Sequence, residues 1–143
     1  MEGWGLGIVL TTQHLNNMED NKQDLIEITQ ALENYYFKGI YEGDLNALAN
    51  ILNPGALLFG DVKGKPYAKT LDQYLDGVKN RQSPKDLGKP FKGTILSIHV
   101  INSIAIAKAH VKMYEFEYDE FLSFHKIDKR WVIVNKMLTD VSV

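Results

Sequence analysis

Few side chains in this sequence can do chemistry unaided. Cysteine is absent, which excludes thiolate nucleophiles, disulfides and cysteine-held metals or clusters. His14, His99, His110 and His125 are the only imidazoles, and neither H-x-H nor H-E-x-x-H spacing occurs, so no metal site is predicted. There is no G-x-S-x-G nucleophile elbow. Gly60 to Gly64 lacks the spacing of a phosphate loop, Lys65-Pro66 cannot open a helix, and no cofactor is predicted. Carboxylates and tyrosines remain. Glu120 lies among Tyr114, Phe116, Tyr118 and Phe121, and an apolar surround lifts a carboxyl pKa toward the range useful for proton transfer. Asp61 is a second, weaker catalytic candidate. Tyr35, Tyr36, Tyr67 and Tyr74 offer flat walls with hydroxyl handles for a small hydrophobic or aromatic ligand. Phe59, Met113, Phe124 and Asn135 complete the candidate ligand-binding set, Asn135 because a buried amide needs partners. The competing readings are a solvated Glu120 at a strand bulge, a turn aspartate at Asp61 and ordinary packing for the tyrosines. Whether the chain is an enzyme stays open at this level.

The elements that must carry these residues are clearer. Leu25, Ile28, Leu32, Tyr35, Tyr36 and Ile40 recur at three- and four-residue steps, predicting one amphipathic helix from about Asp20 to Glu42. Gly43 stops it and Asp44 caps a second, short helix that Asn53-Pro54-Gly55 ends. A short strand, Ala56 to Asp61, and an extended piece near Lys65 to Ala68 follow. Thr70-Leu-Asp-Gln73 reads as a capping box that opens the third helix. Asn80 to Gly93 reads as a loop, and its Arg81, Lys85, Lys89 and Lys92, with the adjoining Lys79, are expected to be solvated. The last third is predicted as four long strands, with two-residue turns at Asn102-Ser103 and Asp128-Lys129. Helices followed by an antiparallel meander make an α+β pattern.

Those turns set the faces. Alternation from Asn102-Ser103 puts Leu96, Ile98, Val100, Ala105, Ala107, Ala109, Val111 and Met113 on one apolar face. From Asp128-Lys129, Leu122, Phe124, Trp131, Ile133, Asn135 and Met137 go inward, with Glu120 in the same parity. Lys136 goes outward. A bulge is expected within Tyr114 to Phe121, which cannot hold one alternation throughout. The outer face would show Ile104, Ile106, Val132, Val134 and Leu138 among histidines and lysines, a mixed patch that suggests a homodimer interface.

At 143 residues, with 45% apolar and 24% charged residues, the chain fits one domain with a real core. A net charge of −2 gives no basic excess, so neither a nucleic-acid nor a membrane partner is predicted. Residues 1–19 read as an N-terminal extension and 20–143 as the domain. Met18 is a candidate original start, and Gly7 to Thr12 a candidate edge-pairing strand. The apolar run Leu6 to Leu10 is too short for a secretory core and no basic residue precedes it, so a cytoplasmic location is expected.

The segments ALENYYFKGIYEGDLNALANIL, LLFGDVKGKPYAKTLDQYLDGVKNR and KIDKRWVIVNKM together resemble the nuclear-transport-factor-2-like superfamily, and within it the lumazine-binding branch with its GKPY segment before a T-x-D-x-Y-L helix. The resemblance spans about Asp20 to Leu138. It implies a cone: a curved mixed or antiparallel sheet wrapped by three helices, an internal pocket whose mouth the chain crosses near Tyr67, and frequent dimerisation through the sheet. For function it implies a small-molecule-binding domain, with two alternatives: an isomerase, dehydratase or cyclase using a pocket carboxylate as base, or a dimeric interaction module. Relatives often read Asp-Gly at the last hairpin, where this chain has Asp128-Lys129.

Overall fold

The computed structural model describes the backbone of residues 12–142 and the side chains of residues 21–142. A helix, α1 (Thr12–Ala31), runs into a six-residue π-helical segment, Leu32–Phe37, and continues as α2 (Lys38–Glu42). The helix thus begins at Thr12, upstream of the predicted Asp20. Of the candidate strand Gly7 to Thr12, Thr12 is helical and the rest lies outside the described residues. Gly43 closes α2 in the left-handed region at φ 68°, a conformation that suits glycine. Asp44 then caps α3 (Leu45–Ile51), its side chain accepting from the Ala47 amide at 3.1 Å.

β1 (Leu52–Val62) is longer than predicted and pairs with β2 (Lys65–Thr70) through the turn Lys63-Gly64. The capping box forms: Thr70 accepts from the Gln73 amide and the Gln73 side chain accepts from the Thr70 amide, opening α4 (Leu71–Asn80). The predicted loop contains one helical turn, α5 (Pro84–Leu87), capped by Ser83. Then come β3 (Phe91–Ile101), β4 (Ile104–Met113), β5 (Phe116–Ile127) and β6 (Arg130–Asp140).

The six strands form one mixed sheet in the order β2-β1-β6-β5-β4-β3, parallel only between β1 and β6. Among the described residues, three helices and the turn α5 accompany it, and the fold is α+β. The core lies between the helices and one face of the sheet. Ile28, Leu32, Tyr36 and Leu48 pack there against Leu58, Leu122, Phe124 and Ile133. Ala107 and Ala109 are fully buried, and their small side chains let the helical layer approach closely. Asp24 anchors the long helix to the last hairpin, accepting from Trp131 Nε1 and from Lys126 Nζ, both at 3.0 Å.

Both predicted hairpins form in the expected register near their turns: Ile101 faces Ile104, Lys126 faces Trp131, and Phe124 faces Ile133. Two bulges then change the outcome. One extra residue, Leu96, interrupts β3, so Leu96 is 51% exposed and Ile95 packs against the core instead. A second, Val134, interrupts β6, so Ser123 faces Asn135 and Leu122 faces Lys136. A single inserted residue reverses the facing of everything beyond it. Asn135 and Met137 therefore point outward, and Lys136 and Leu138 inward, the reverse of the sequence expectation. The bulge predicted within Tyr114 to Phe121 is absent. β4 and β5 pair without a shift, and the turn Tyr114-Glu115 absorbs the break.

Candidate functional site

The π-helical segment is where the site begins. A π turn rotates side chains away from the ordinary helical progression and is frequent at functional sites. Here Tyr36 is fully buried while its neighbour Tyr35 is 43% exposed. The Tyr36 hydroxyl donates to Glu120 Oε1 at 2.5 Å. Glu120 is 2% exposed on β5, where unbroken pairing with β4 keeps it in the parity of Leu122 and Phe124. Its Oε2 lies 3.4 Å from Nζ of Lys136, which the β6 bulge turns inward. The Lys136 ammonium also sits 5.2 Å from the ring centre of Tyr36 and 5.0 Å from that of Tyr74, a cation–π arrangement. A buried carboxylate and a buried ammonium thus satisfy each other, as burial requires.

The electrostatics follow from this pairing. Burial raises the Tyr36 hydroxyl well above its ordinary value, and the Glu120 charge raises it further. Burial by itself would lower the Lys136 pKa, but Glu120, then Tyr74 and Tyr67, outweigh it and hold the ammonium above the ordinary lysine range. Burial likewise raises Tyr67 and pushes Tyr118 up to about 12. Lys136 and Arg81 both act on these two tyrosines in the opposite sense, so the charges converge on one space.

That space is a cavity of about 70 Å³. Tyr67, Tyr74, Tyr118, Arg81, Glu120 and Lys136 line its polar part, and Ile40, Val62, Val111, Met113 and Leu138 its apolar part. Among the residues selected from sequence, Tyr67, Tyr74, Met113 and Glu120 therefore meet here, and Tyr36 joins them only through its bond to Glu120. The others do not. Tyr35 faces away; Phe59 is 39% exposed on the outer sheet face; Phe124 is in the core, outside the cavity lining. Asn135 donates Nδ2 to the Leu57 carbonyl at 3.1 Å on the outer face, and Asp61 lines an outer groove. The bulge at Val134 turns Asn135 outward, alternation along β1 sends Leu58 inward and Phe59 outward, and the π turn separates Tyr35 from Tyr36.

Lys136, Arg81 and Tyr118 were not selected from sequence. Three successive apolar residues, Val132-Ile133-Val134, cannot alternate and were the available signal of a bulge. Arg81 belongs to the segment read as a solvated basic loop. The Tyr114 ring lies 5.9 Å from its guanidinium, and the Tyr114 hydroxyl donates to the adjacent Gln82 carbonyl, which holds Arg81 at the cavity.

Among the described residues no group of three or more His, Asp or Glu side chains could hold a metal ion. His110 instead sits between two carboxylates, Nδ1 2.7 Å from Asp119 and Nε2 3.3 Å from Glu117, on the outer face. No helix among the described residues is long and apolar enough to cross a membrane.

Three helices on one face of a six-stranded mixed sheet define the nuclear-transport-factor-2-like cone fold. Similar solved structures include nuclear-transport-factor-2-like proteins from Silicibacter pomeroyi DSS-3 (21% identity, 84% of this chain and 98% of that chain, TM-score 0.75) and Shewanella baltica OS155 (22% identity, 82% and 94%, TM-score 0.72). Another, from Shewanella oneidensis MR-1, is 26% identical over 82% of this chain and 99% of that chain, with a TM-score of 0.62. No protein of curated function matches the chain. The chain belongs to the family described as "Putative lumazine-binding", whose model matches residues 23–139.

Proposed function

We propose that the domain binds a small molecule inside the cone and holds it without catalysing a reaction. The observation that carries this reading is the tyrosine-lined cavity in which both Glu120 oxygens already have a partner, one the Tyr36 hydroxyl and one the Lys136 ammonium. Glu120 is committed to Tyr36 and Lys136, whereas Tyr67, Tyr74 and Tyr118 present ring faces and hydroxyls suited to contact. The family description names lumazine. Pockets for drug-sized ligands measure about 300–1,000 Å³, so a cavity of 70 Å³ favours a smaller occupant. A thermal-shift and crystal-soaking screen of small molecules tests the reading. Hits should raise the melting temperature and lose their effect in Val62→Phe, which fills the cavity rim. Hits that persist in Val62→Phe, or the absence of hits together with a filled cavity in crystals, would reject it.

A second reading, assembly of two copies through the outer sheet face, has its own support. Leu57, Phe59, Phe121 and Met137 are between 39% and 51% exposed there, and Ile104 and Ile106 are 54% and 42% exposed. Of the interface set read from sequence, Ile104, Ile106 and Val134 line one groove of this face. Val132 is buried within the chain at 5% exposure, and Leu138 points into the core. A stable pair needs about 800 Å² per partner, and the exposed apolar side chains spread across four adjacent strands. Phe121→Glu should convert a dimer to a monomer by sedimentation with the circular dichroism unchanged. A dimer that survives it uses another face.

A further inference from the structure

We infer that the cavity selects a small monocarboxylate and that Arg81 is the residue that recognises it. This rests on the reading of the cavity as a binding site and names its ligand class. The lining carries two cations, Arg81 and Lys136, and one anion, Glu120. Lys136 is matched by Glu120 at 3.4 Å. Arg81 is not matched: among the described residues its guanidinium touches only the Met113 sulfur at 3.9 Å and the face of Tyr114. A half-buried guanidinium with no carboxylate leaves one positive charge uncompensated at the cavity.

The remaining polar groups have the same preference. The hydroxyls of Tyr67, Tyr74 and Tyr118 have no hydrogen-bond partner among the described residues, and three free hydroxyl donors beside a guanidinium favour an anionic oxygen. The planar fork of arginine matches a carboxylate with two parallel hydrogen bonds. One unit of charge balances the site, whereas a dianion such as phosphate would leave a desolvated excess. Apolar walls from Val62, Val111 and Leu138 leave a place for a short alkyl tail. At about 70 Å³ the room is well below that of drug-sized pockets and suits a molecule of a few heavy atoms. The sequence alone pointed to a hydrophobic or aromatic ligand because it left Arg81 in solvent.

Calorimetric titration at constant ionic strength tests this with propionate, propionamide and inorganic phosphate against the wild type and Arg81→Gln. Propionate should bind, with propionamide and phosphate at least about tenfold weaker. Arg81→Gln should lose at least about tenfold in propionate affinity while its melting temperature without ligand stays unchanged, which separates recognition from a structural role. Equal binding of propionamide, tighter binding of phosphate, or an unaffected Arg81→Gln would overturn the assignment. If none of the three probes binds but neutral ligands bind in a way that Val62→Phe abolishes, the carboxylate assignment fails and the binding reading stands. If no small molecule of any charge binds, both fail.

Discussion

Removing Lys136 is the most informative single perturbation of this molecule. Lys136→Met keeps the apolar stem and deletes the ammonium. Glu120, 2% exposed, would then hold a charge facing only the Tyr36 hydroxyl. Breaking a buried ion pair from one side costs about 3–5 kcal/mol, because the surviving charge is left without compensation. For a domain of this size that lowers the melting temperature by roughly 10–15 °C. The reverse deletion should be milder. In Glu120→Gln the amide oxygen still accepts from Tyr36, and the Lys136 ammonium keeps the faces of Tyr36 and Tyr74, so about 2 kcal/mol is expected. The double variant removes both charges and keeps an acceptor for Tyr36. It should lie within about 1–2 kcal/mol of wild type, since replacing a buried pair by neutral groups is often close to neutral. Urea unfolding of the four proteins closes the cycle, with an expected coupling of a few kcal/mol. Additive single effects, or a Lys136→Met cost below about 1 kcal/mol, would mean that the pair is solvated and the reasoning wrong.

Other expectations follow from the same geometry. Lys136, Tyr36, Tyr67 and Tyr118 all have folded-state pKa values above their ordinary ones, so each favours the folded state fully below its unfolded pKa of about 10 and withdraws that support as pH rises through the folded value. Stability should therefore fall steeply above about pH 10, and Lys136→Met should flatten that fall in denaturant titrations. Asp128 and Lys129 both have positive φ, at 50° and 65°, as do Lys63 and Gly64 at the β1–β2 turn. Lys129→Gly supplies there the residue that Gly64 already supplies, and should stabilise by up to about 1 kcal/mol in thermal melts. At Gly60, φ is 149° and an added Cβ would stand 1.8 Å from the Leu138 carbonyl oxygen. Gly60→Ala should separate β1 from β6 and cost more than about 2 kcal/mol, seen as a lowered urea midpoint.

How far the sequence could be read depended on distance from the turns. Asn102-Ser103 and Asp128-Lys129 fix the first residue pairs of both hairpins, and alternation then carries the reading correctly to Ile98 on β3, along the whole of β4 to Met113, and to Ile133 on β6. Beyond Leu96 and Val134 every facing is reversed, because alternation has no memory of an inserted residue. Glu120 kept its parity since β4 and β5 contain no insertion. Tyr35 and Tyr36 could not be separated by helical periodicity, because adjacent residues differ by only 100° and the π turn that decides between them leaves no pattern of its own. Arg81 was invisible for another reason: its position depends on Tyr114, which is remote in sequence, and composition alone reads it as one cation in a basic loop.

One signal crosses these limits. An inward glutamate on one strand requires an inward positive group on a neighbour, since an isolated buried charge is too costly to persist. With Glu120 inward, β4 offers Ala109 beside it and β6 offers Leu138. Neither is charged, and the nearest cation able to reach from β6 is Lys136. Placing Lys136 inward demands a shift between the hairpin turn and that position, and Val132-Ile133-Val134 is where three apolar residues allow one. Charge compensation thus predicts the bulge that alternation conceals. The same pair argues for a site over mere packing. Apolar residues could fill this volume at equal or better stability, so a carboxylate, an ammonium and three tyrosine hydroxyls gathered at one cavity support the proposed binding role over packing alone.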